Sequence, residues 1–202
     1  MTEDIKIQKN LFREKYKKIR SEIPKDQKAL FDKAIFERVI SLPQYKNCQY
    51  LFTYVSIGSE ADTLRLIQYS LSDGKKVAVP KCGSNHGMDF YIINSLDDLE
   101  KSSFGLLEPK TDICMKAPND CNALCIVPAV CFDVKGCRIG YGGGYYDRFL
   151  SGFLGDAVGI CYHNCLCGEL PKDIYDISVN ILVTENAFHD NAFHDIKRSD
   201  KI

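Results

Sequence analysis

The stretch of this chain with the most pointed chemistry is Arg138-Ile-Gly140-Tyr141-Gly142-Gly143-Gly144-Tyr145-Tyr146-Asp147-Arg148. Consecutive glycines let backbone N–H groups approach an anion without a Cβ in the way, and a helix starting at Tyr146 adds the positive end of its dipole. Arg138 and Asp147 flank the run, a guanidinium for phosphate oxygens and a carboxylate for Mg²⁺. Together these groups suit a nucleotide phosphate. The run is not a Walker A loop, because no Gly-Lys-Ser/Thr ends it. Nor is it the dinucleotide G-x-G-x-x-G, because Tyr145 stands at the third glycine position. The glycines alone fit a plain turn as well as a phosphate cradle; the flanking charges favour the cradle.

Cysteine is the other reactive type in quantity, with 10 in the chain. No C-x-x-C pair occurs, so neither a dithiol redox site nor a zinc ribbon has its minimal spacing. Cys161-Tyr-His163-Asn-Cys165-Leu-Cys167 gathers soft ligands closely, but structural metal sites draw ligand pairs from two separated segments. The better reading is a buried strand end with cysteine as a small hydrophobe. His86, His163, His189 and His194 form no spaced catalytic pair and receive no role.

The elements that must carry these groups follow from hydrophobic period. The 202 residues hold 26 Lys plus Arg against 27 Asp plus Glu, a net charge of -1, which disfavours a nucleic-acid or membrane-surface polycation. The opening MTEDIKIQKN has no apolar leader, so the expectation is a cytoplasmic protein with reduced thiols, binding neither nucleic acid nor membrane. Residues 4–20 and 26–42 carry apolar residues at three-and-four spacing, two helices, the second ended by Pro43. YLFTYVS (50–56), KVAVP (76–80), MDFYII (88–93), LCIVPAV within 121–130, and segments 157–162 and 179–184 read as strands. A helix capped by Asp62 or Thr63 joins the first two, a β-α-β crossover. Ser95 caps a short helix to Lys101, residues 104–109 read as an irregular connection, and Tyr146–Leu150 is helix-like. One α/β domain over 1–185 is expected, with 186–202 a tail. Its tandem Asn186-Ala-Phe-His-Asp190 and Asn191-Ala-Phe-His-Asp195 reads as a local duplication in a frayed terminus.

RIGYGGGYYDRFL, with Pro128, Phe132-Asp133 and Gly136 upstream, resembles the signature of the 5-formyltetrahydrofolate cyclo-ligase (5,10-methenyltetrahydrofolate synthetase) family. Lys9-x-x-Phe12-Arg13 is similar to that family's N-terminal Lys-x-x-Leu-Arg, Tyr54 to Thr63 to its strand-loop-helix motif, and Asp176-Ile-Ser-Val179-Asn180 to its C-terminal Asp motif. Phe104-Gly-Leu-Leu-Glu108-Pro109 also fits. The resemblance runs from residue 9 to about 185 and implies a three-layer α/β/α fold with a mostly parallel central sheet. It implies a monomeric enzyme that uses ATP and Mg²⁺ to convert 5-formyltetrahydrofolate to 5,10-methenyltetrahydrofolate, ADP and phosphate. The formyl oxygen is phosphorylated and N10 then attacks. On that resemblance Lys9, Arg13, Arg138, Gly140, Gly142, Gly143, Gly144, Tyr145 and Tyr146 bind ATP. Val55, Glu60, Phe104, Tyr141 and Tyr145 meet the folate, Glu60 and Arg138 are catalytic, and Asp147 and Asp176 hold Mg²⁺.

Each assignment has a plainer competitor. Lys9 and Arg13 alone are a solvated helix face, Glu60 and Asp62 favour a helix N-terminus, and Asp176 caps a turn. The chain also departs from the family pattern. Some members carry basic residues inside the loop where Tyr141 and Gly143 stand, leaving Arg148, Lys81 or Lys135 to supply charge. Phe104 stands where some relatives have Trp, and Asn180 replaces an acid.

Overall fold

The computed structural model describes residues 3–83, 87–102 and 105–190. Three helices open the chain: α1 (Glu3–Ser21), α2 (Lys25–Ser41) and a short α3 (Pro43–Asn47). Pro43 sits in the first turn of α3, where no backbone N–H is required, so the proline that bars α2 from continuing also starts the next helix. Strand β1 (Tyr50–Thr53), helix α4 (Leu64–Ser72) and β2 (Lys76–Cys82) form the expected crossover, and β3 (Met88–Ile93) returns antiparallel beside β2. A two-stranded pair follows, β4 (Leu99–Lys101) with β5 (Leu107–Pro109). Then come β6 (Ala123–Val127), β7 (Cys131–Asp133), β8 (Arg138–Ile139), α5 (Tyr145–Leu150), β9 (Asp156–Ile160), β10 (Leu166–Cys167), β11 (Ile181–Val183) and β12 (Phe188–Asp190).

The main sheet has seven strands in the order β12-β11-β9-β6-β1-β2-β3. The run from β11 to β2 is parallel and both edges are antiparallel. From β1 the chain builds outward to β2 and β3, then returns to lay β6 on the other flank of β1. This reversal is a topological switch point, and in such sheets the ligand crevice lies beyond the carboxyl ends of the strands there.

Alternation along the strands divides the core into two layers around the sheet. Leu51, Val77, Val79, Leu124, Ile126, Val158 and Ile160 pack against Ile35, Phe36 and Val39 of α2, Tyr45 of α3 and Leu66 and Ile67 of α4. Tyr50, Phe52, Ala78, Cys125, Val127, Ala157 and Leu182 face the other way, under Tyr16 of α1, Phe149 and Leu150 of α5, and the three-stranded sheet β10-β7-β8. Gly159 admits this second sheet: a Cβ there would stand 2.5 Å from the Phe132 ring. The fold is the three-layer α/β/α sandwich that the resemblance implies.

Three local expectations are corrected. Between Ser95 and Lys101 only Leu96–Asp98 coils, as a single 3₁₀ turn under a Ser95 capping box, and Leu99 onward is β4. Residues 107–109 are not irregular but pair with β4, Leu99 opposite Pro109. The first copy of the pentapeptide supplies β12, with Phe188 opposite Val183 in the sheet edge, rather than a frayed end. The second copy lies outside the described residues. No helix among the described residues is long and apolar enough to cross a membrane.

Candidate functional site

A cavity of about 440 Å³ opens beyond the carboxyl ends of β1, β2 and β6, at the switch point. Lys9, Arg13, Val55, Glu60, Arg138, Gly140, Tyr141, Gly142, Gly143, Gly144, Tyr145, Tyr146, Asp147 and Asp176 all line it. Phe104 lies outside the described residues.

The cations arrive from α1 and β8. Lys9 is buried, and its ammonium donates to Asp176 Oδ2. One turn on, Arg13 donates from Nε to the Gly140 carbonyl at 2.8 Å and from Nη1 to Asn10 Oδ1 at 2.6 Å. Its guanidinium lies against Gly142, where a Cβ would stand 3.6 Å from Cζ. Arg138, also buried, donates to Asp147 Oδ1 at 2.7 Å and to the Ile177 carbonyl. The Ile177 N–H donates to the same Asp147 oxygen at 3.2 Å, so the 176–177 turn is tied to the glycine loop. Two carboxylates thus answer Lys9 and Arg138, whereas both hydrogen-bond partners of Arg13 are neutral, leaving its charge for an incoming anion.

The loop needs glycine at two points for its path alone: Gly142 and Gly144 have φ of 106° and 67°. A Cβ on Gly143 would meet the Tyr145 ring at 2.6 Å. Helix α5 begins at Tyr145 and runs only 6 residues, so the dipole expected behind the loop is that of fewer than two turns. Of the three basic residues left open by the sequence, Arg148 lies on the loop and donates to the Gly143 carbonyl. Lys81 instead faces Glu100 and Glu108 at 3.6 and 3.9 Å, and Lys135 faces Glu169 at 3.1 Å.

Glu60 comes from the loop after β1 and is 7% exposed. Its Oε2 accepts the Ile57 N–H at 3.0 Å and its Oε1 accepts the Tyr141 hydroxyl, which in turn accepts from Arg20 at 2.7 Å. Burial, with the Glu60 carboxylate beside it, pushes the Tyr141 phenol up to about 12. Burial likewise raises the Tyr146 phenol, whose Oη is enclosed without a hydrogen-bond partner. The capping reading of this segment belongs to Asp62, which accepts the Leu64 and Arg65 N–H groups of α4 at 3.0 and 3.4 Å. Val55, Ile57, Pro80, Met88, Leu106 and Leu107 give the cavity an apolar wall, and buried Glu108 lines it as well.

Arg20 is not singled out by the sequence, and Glu108 enters there only within the 104–109 motif, with no role of its own. For Arg20 the signal was positional: Lys9, Arg13, Tyr16 and Arg20 share one helical stripe, three and four residues apart, and Lys9, Tyr16 and Arg20 are the residues α1 buries. Glu108 occupies a strand of 3 residues, too short for any period to mark. Cys161 and Cys165 sit in the apolar core beneath α1 with Cys167 packed against them, the placement expected of small hydrophobes. Asn180 holds the Ala157 N–H at 3.3 Å.

The sequence model described as the 5-formyltetrahydrofolate cyclo-ligase family matches residues 5–185. A Schizosaccharomyces pombe protein named "Probable 5-formyltetrahydrofolate cyclo-ligase" is 33% identical over 168 residues, 75% of this chain and 82% of that protein. An Arabidopsis thaliana protein named as the mitochondrial 5-formyltetrahydrofolate cyclo-ligase is 29% identical, covering 87% of this chain and 75% of its own length. The solved structure of Aquifex aeolicus 5,10-methenyltetrahydrofolate synthetase superposes with a TM-score of 0.80 at 29% identity, over 91% of this chain and 92% of that one.

Proposed function

The chain belongs to the 5-formyltetrahydrofolate cyclo-ligase family, and from that premise we propose that it closes the 5,10-methenyl bridge of tetrahydrofolate at the expense of ATP. The observation that carries the reading is convergence. One cavity joins the glycine loop and the cations of α1 and β8 to Glu60 and an apolar wall from the β1-β2-β3 side of the sheet. Its volume, about 440 Å³, is that of a small-molecule site.

A formamide carbon is a poor electrophile. Phosphorylation of the formyl oxygen by ATP turns that oxygen into a leaving group; N10 then attacks the carbon, loses its proton, and phosphate departs to leave the methenyl cation. Such phosphoryl transfer depends on positioning and charge neutralisation more than on covalent help from the protein. In this reading Arg13 and the backbone of Gly142–Gly144 receive the phosphates, and the contacts of Lys9 to Asp176 and of Arg138 to Asp147 support it by orienting two further cations beside them. Glu60 faces the positive charge that builds on N5 and the formyl carbon. Tyr145 and Tyr146 supply aromatic surface to the ligands.

The acids also fit Mg²⁺ in the manner usual for nucleotide sites, one or two carboxylates with the substrate's phosphates. Asp147 engages its neighbours through Oδ1 and Asp176 through Oδ2. The opposite oxygen of each is left for the ion. No group of three or more His, Cys, Asp or Glu among the described residues is arranged as a metal cage, which suits an ion carried in by the nucleotide. There Mg²⁺ supplies charge neutralisation of the transferring phosphoryl group. The reading takes the enzyme as a cytoplasmic monomer acting on small molecules alone. The Arabidopsis relative is named as mitochondrial, so cell fractionation decides the compartment.

The test is to mix the protein with ATP, Mg²⁺ and 5-formyltetrahydrofolate and follow the absorbance of the methenyl product. Formation only when both ATP and Mg²⁺ are present is expected. Product without nucleotide, or none under any condition, overturns the reading.

A further inference from the structure

Arg20, in the last turn of α1, is 9% exposed and donates once from each of its three guanidinium nitrogens, to three different loops. Nε donates to Ser59 Oγ at 3.1 Å, Nη1 to the Ala129 carbonyl at 3.2 Å and Nη2 to Tyr141 Oη at 2.7 Å. Ser59 follows β1, Ala129 follows β6 and Tyr141 opens the glycine loop, so one side chain joins the two walls of the switch point to the phosphate loop. The Tyr141 hydroxyl, accepting from Arg20, has its own proton committed to Glu60 Oε1. Glu60 Oε2 is held by the Ile57 N–H. A carboxylate offers about four lone-pair sites, and these contacts fix its plane while leaving acceptor capacity for a ligand in the cavity.

We infer that Arg20 is a positioning residue: acting through the Tyr141 hydroxyl, it holds the Glu60 carboxylate fixed at the cavity wall. The inference rests on the proposed cyclo-ligase reaction and adds to it a coupling between the glycine loop and the folate side. Charge on Arg20 polarises the Tyr141 O–H, which strengthens its donation to the buried Glu60 carboxylate. Substrate need not touch Arg20 at all. Arginine suits the post because three donors leave its planar fork in fixed directions, a geometry lysine lacks.

The test is a double-mutant cycle on the full chain, reading kcat, both KM values and melting temperature. Tyr141→Phe removes one hydroxyl from a half-exposed side chain and leaves the Arg20 contacts to Ser59 and Ala129 in place. It should lower kcat about tenfold or more, with the KM for ATP and the melting temperature little changed. Arg20→Gln should lower kcat by a similar factor in the parent and by less than about threefold in the Tyr141→Phe background, because the link it works through is already gone. Arg20→Lys should behave as Arg20→Gln. The inference is overturned by a Tyr141→Phe variant with parental kcat, or by an Arg20→Gln loss of equal size in both backgrounds. Should Arg20→Gln not fold, Arg20→Lys, read in the parent and in the Tyr141→Phe background, takes its place in the cycle. A parent without ATP-dependent turnover removes the cyclo-ligase reading and this inference together, whereas an active parent with an indifferent Tyr141→Phe removes this inference only.

Discussion

The two faces of the central sheet are built on different terms. Helices α2, α3 and α4 bury Ile35, Phe36, Val39, Tyr45, Leu66, Ile67 and Ser70, with no charged side chain among them. Helix α1, on the opposite face, buries Lys9, Tyr16 and Arg20, and the loop after β1 with strands β7 and β8 buries Glu60, Asp133 and Arg138. Burying a charge costs several kcal/mol unless it is answered by another charge or by hydrogen bonds; Lys9 and Arg138 meet carboxylates, and Arg20, Glu60 and Asp133 are held by hydrogen bonds to neutral groups. The apolar face therefore supplies stability, and the charged face uses part of it to hold preorganised groups around a cavity. Substitutions on the first should move melting temperature without touching chemistry; on the second, loss of a group with neutral partners should do the reverse, and loss of a buried ion-pair partner should do both.

The largest effect is expected on the apolar face. Ile67 is 0% exposed in α4 and does not line the cavity. Ile67→Ala deletes three carbons from a packed core and should cost about 2–5 kcal/mol by denaturant unfolding. Turnover measured well below the melting transition should stay parental. A large loss of kcat in the folded variant would mean that the two faces are not separable.

Glu60→Gln is the converse. The amide keeps size and one acceptor but loses the charge, so turnover should fall about 100-fold while melting temperature and ATP affinity hold. Near-parental turnover would return Glu60 to a merely local role. Among the cations, Arg13→Ala removes a guanidinium whose partners are neutral. It should weaken ATP binding about tenfold or more, with little change in stability. Arg138→Ala should do both harms, because Asp147 and the Ile177 carbonyl lose their shared donor. Equal melting temperatures for the two variants would count against this division.

How much of this was legible in the sequence follows the same line. Long periodic segments mark the helices of both faces, and the runs around Tyr50, Lys76 and Ala123 mark strands because burial on both sides leaves a dense apolar string, while the edge strand at Met88 shows through its aromatic and β-branched residues. The glycine loop was legible as a phosphate candidate from its residue types. What escaped was short or non-local. Strands β5, β7, β8 and β10 have 2 or 3 residues each, below any period, and exist only through their partners. β12 escaped because a duplicated polar segment at a chain end gives no sign of an edge waiting to accept it. Arg20 escaped because a basic residue on a charged helix is usually solvated; only the loops stacked over that turn, from residues 59, 129 and 141, make it buried.

The smallest expected effect concerns the residue two places beyond Glu60, and it separates capping from chemistry within one loop. The sequence offers Asp62 or Thr63 as the cap of α4 and lets Glu60 and Asp62 both favour its N-terminus. In the structure Asp62 takes that role, accepting from Leu64 and Arg65 and also from Ser56 Oγ at 3.3 Å, while Glu60 turns to Tyr141 and Ile57. Asp62→Ala leaves orphan N–H groups at the first turn of a helix of 9 residues, which costs about 1 kcal/mol, or roughly 2–4 °C in a domain of this size. Asp62→Asn keeps the acceptor and should cost less. Turnover at 25 °C should stay within about twofold of the parent for both. If Asp62→Ala lost activity on the scale expected of Glu60→Gln, the loop after β1 would be one catalytic unit, and Glu60 would owe its effect to the backbone path that Asp62 fixes rather than to its own charge.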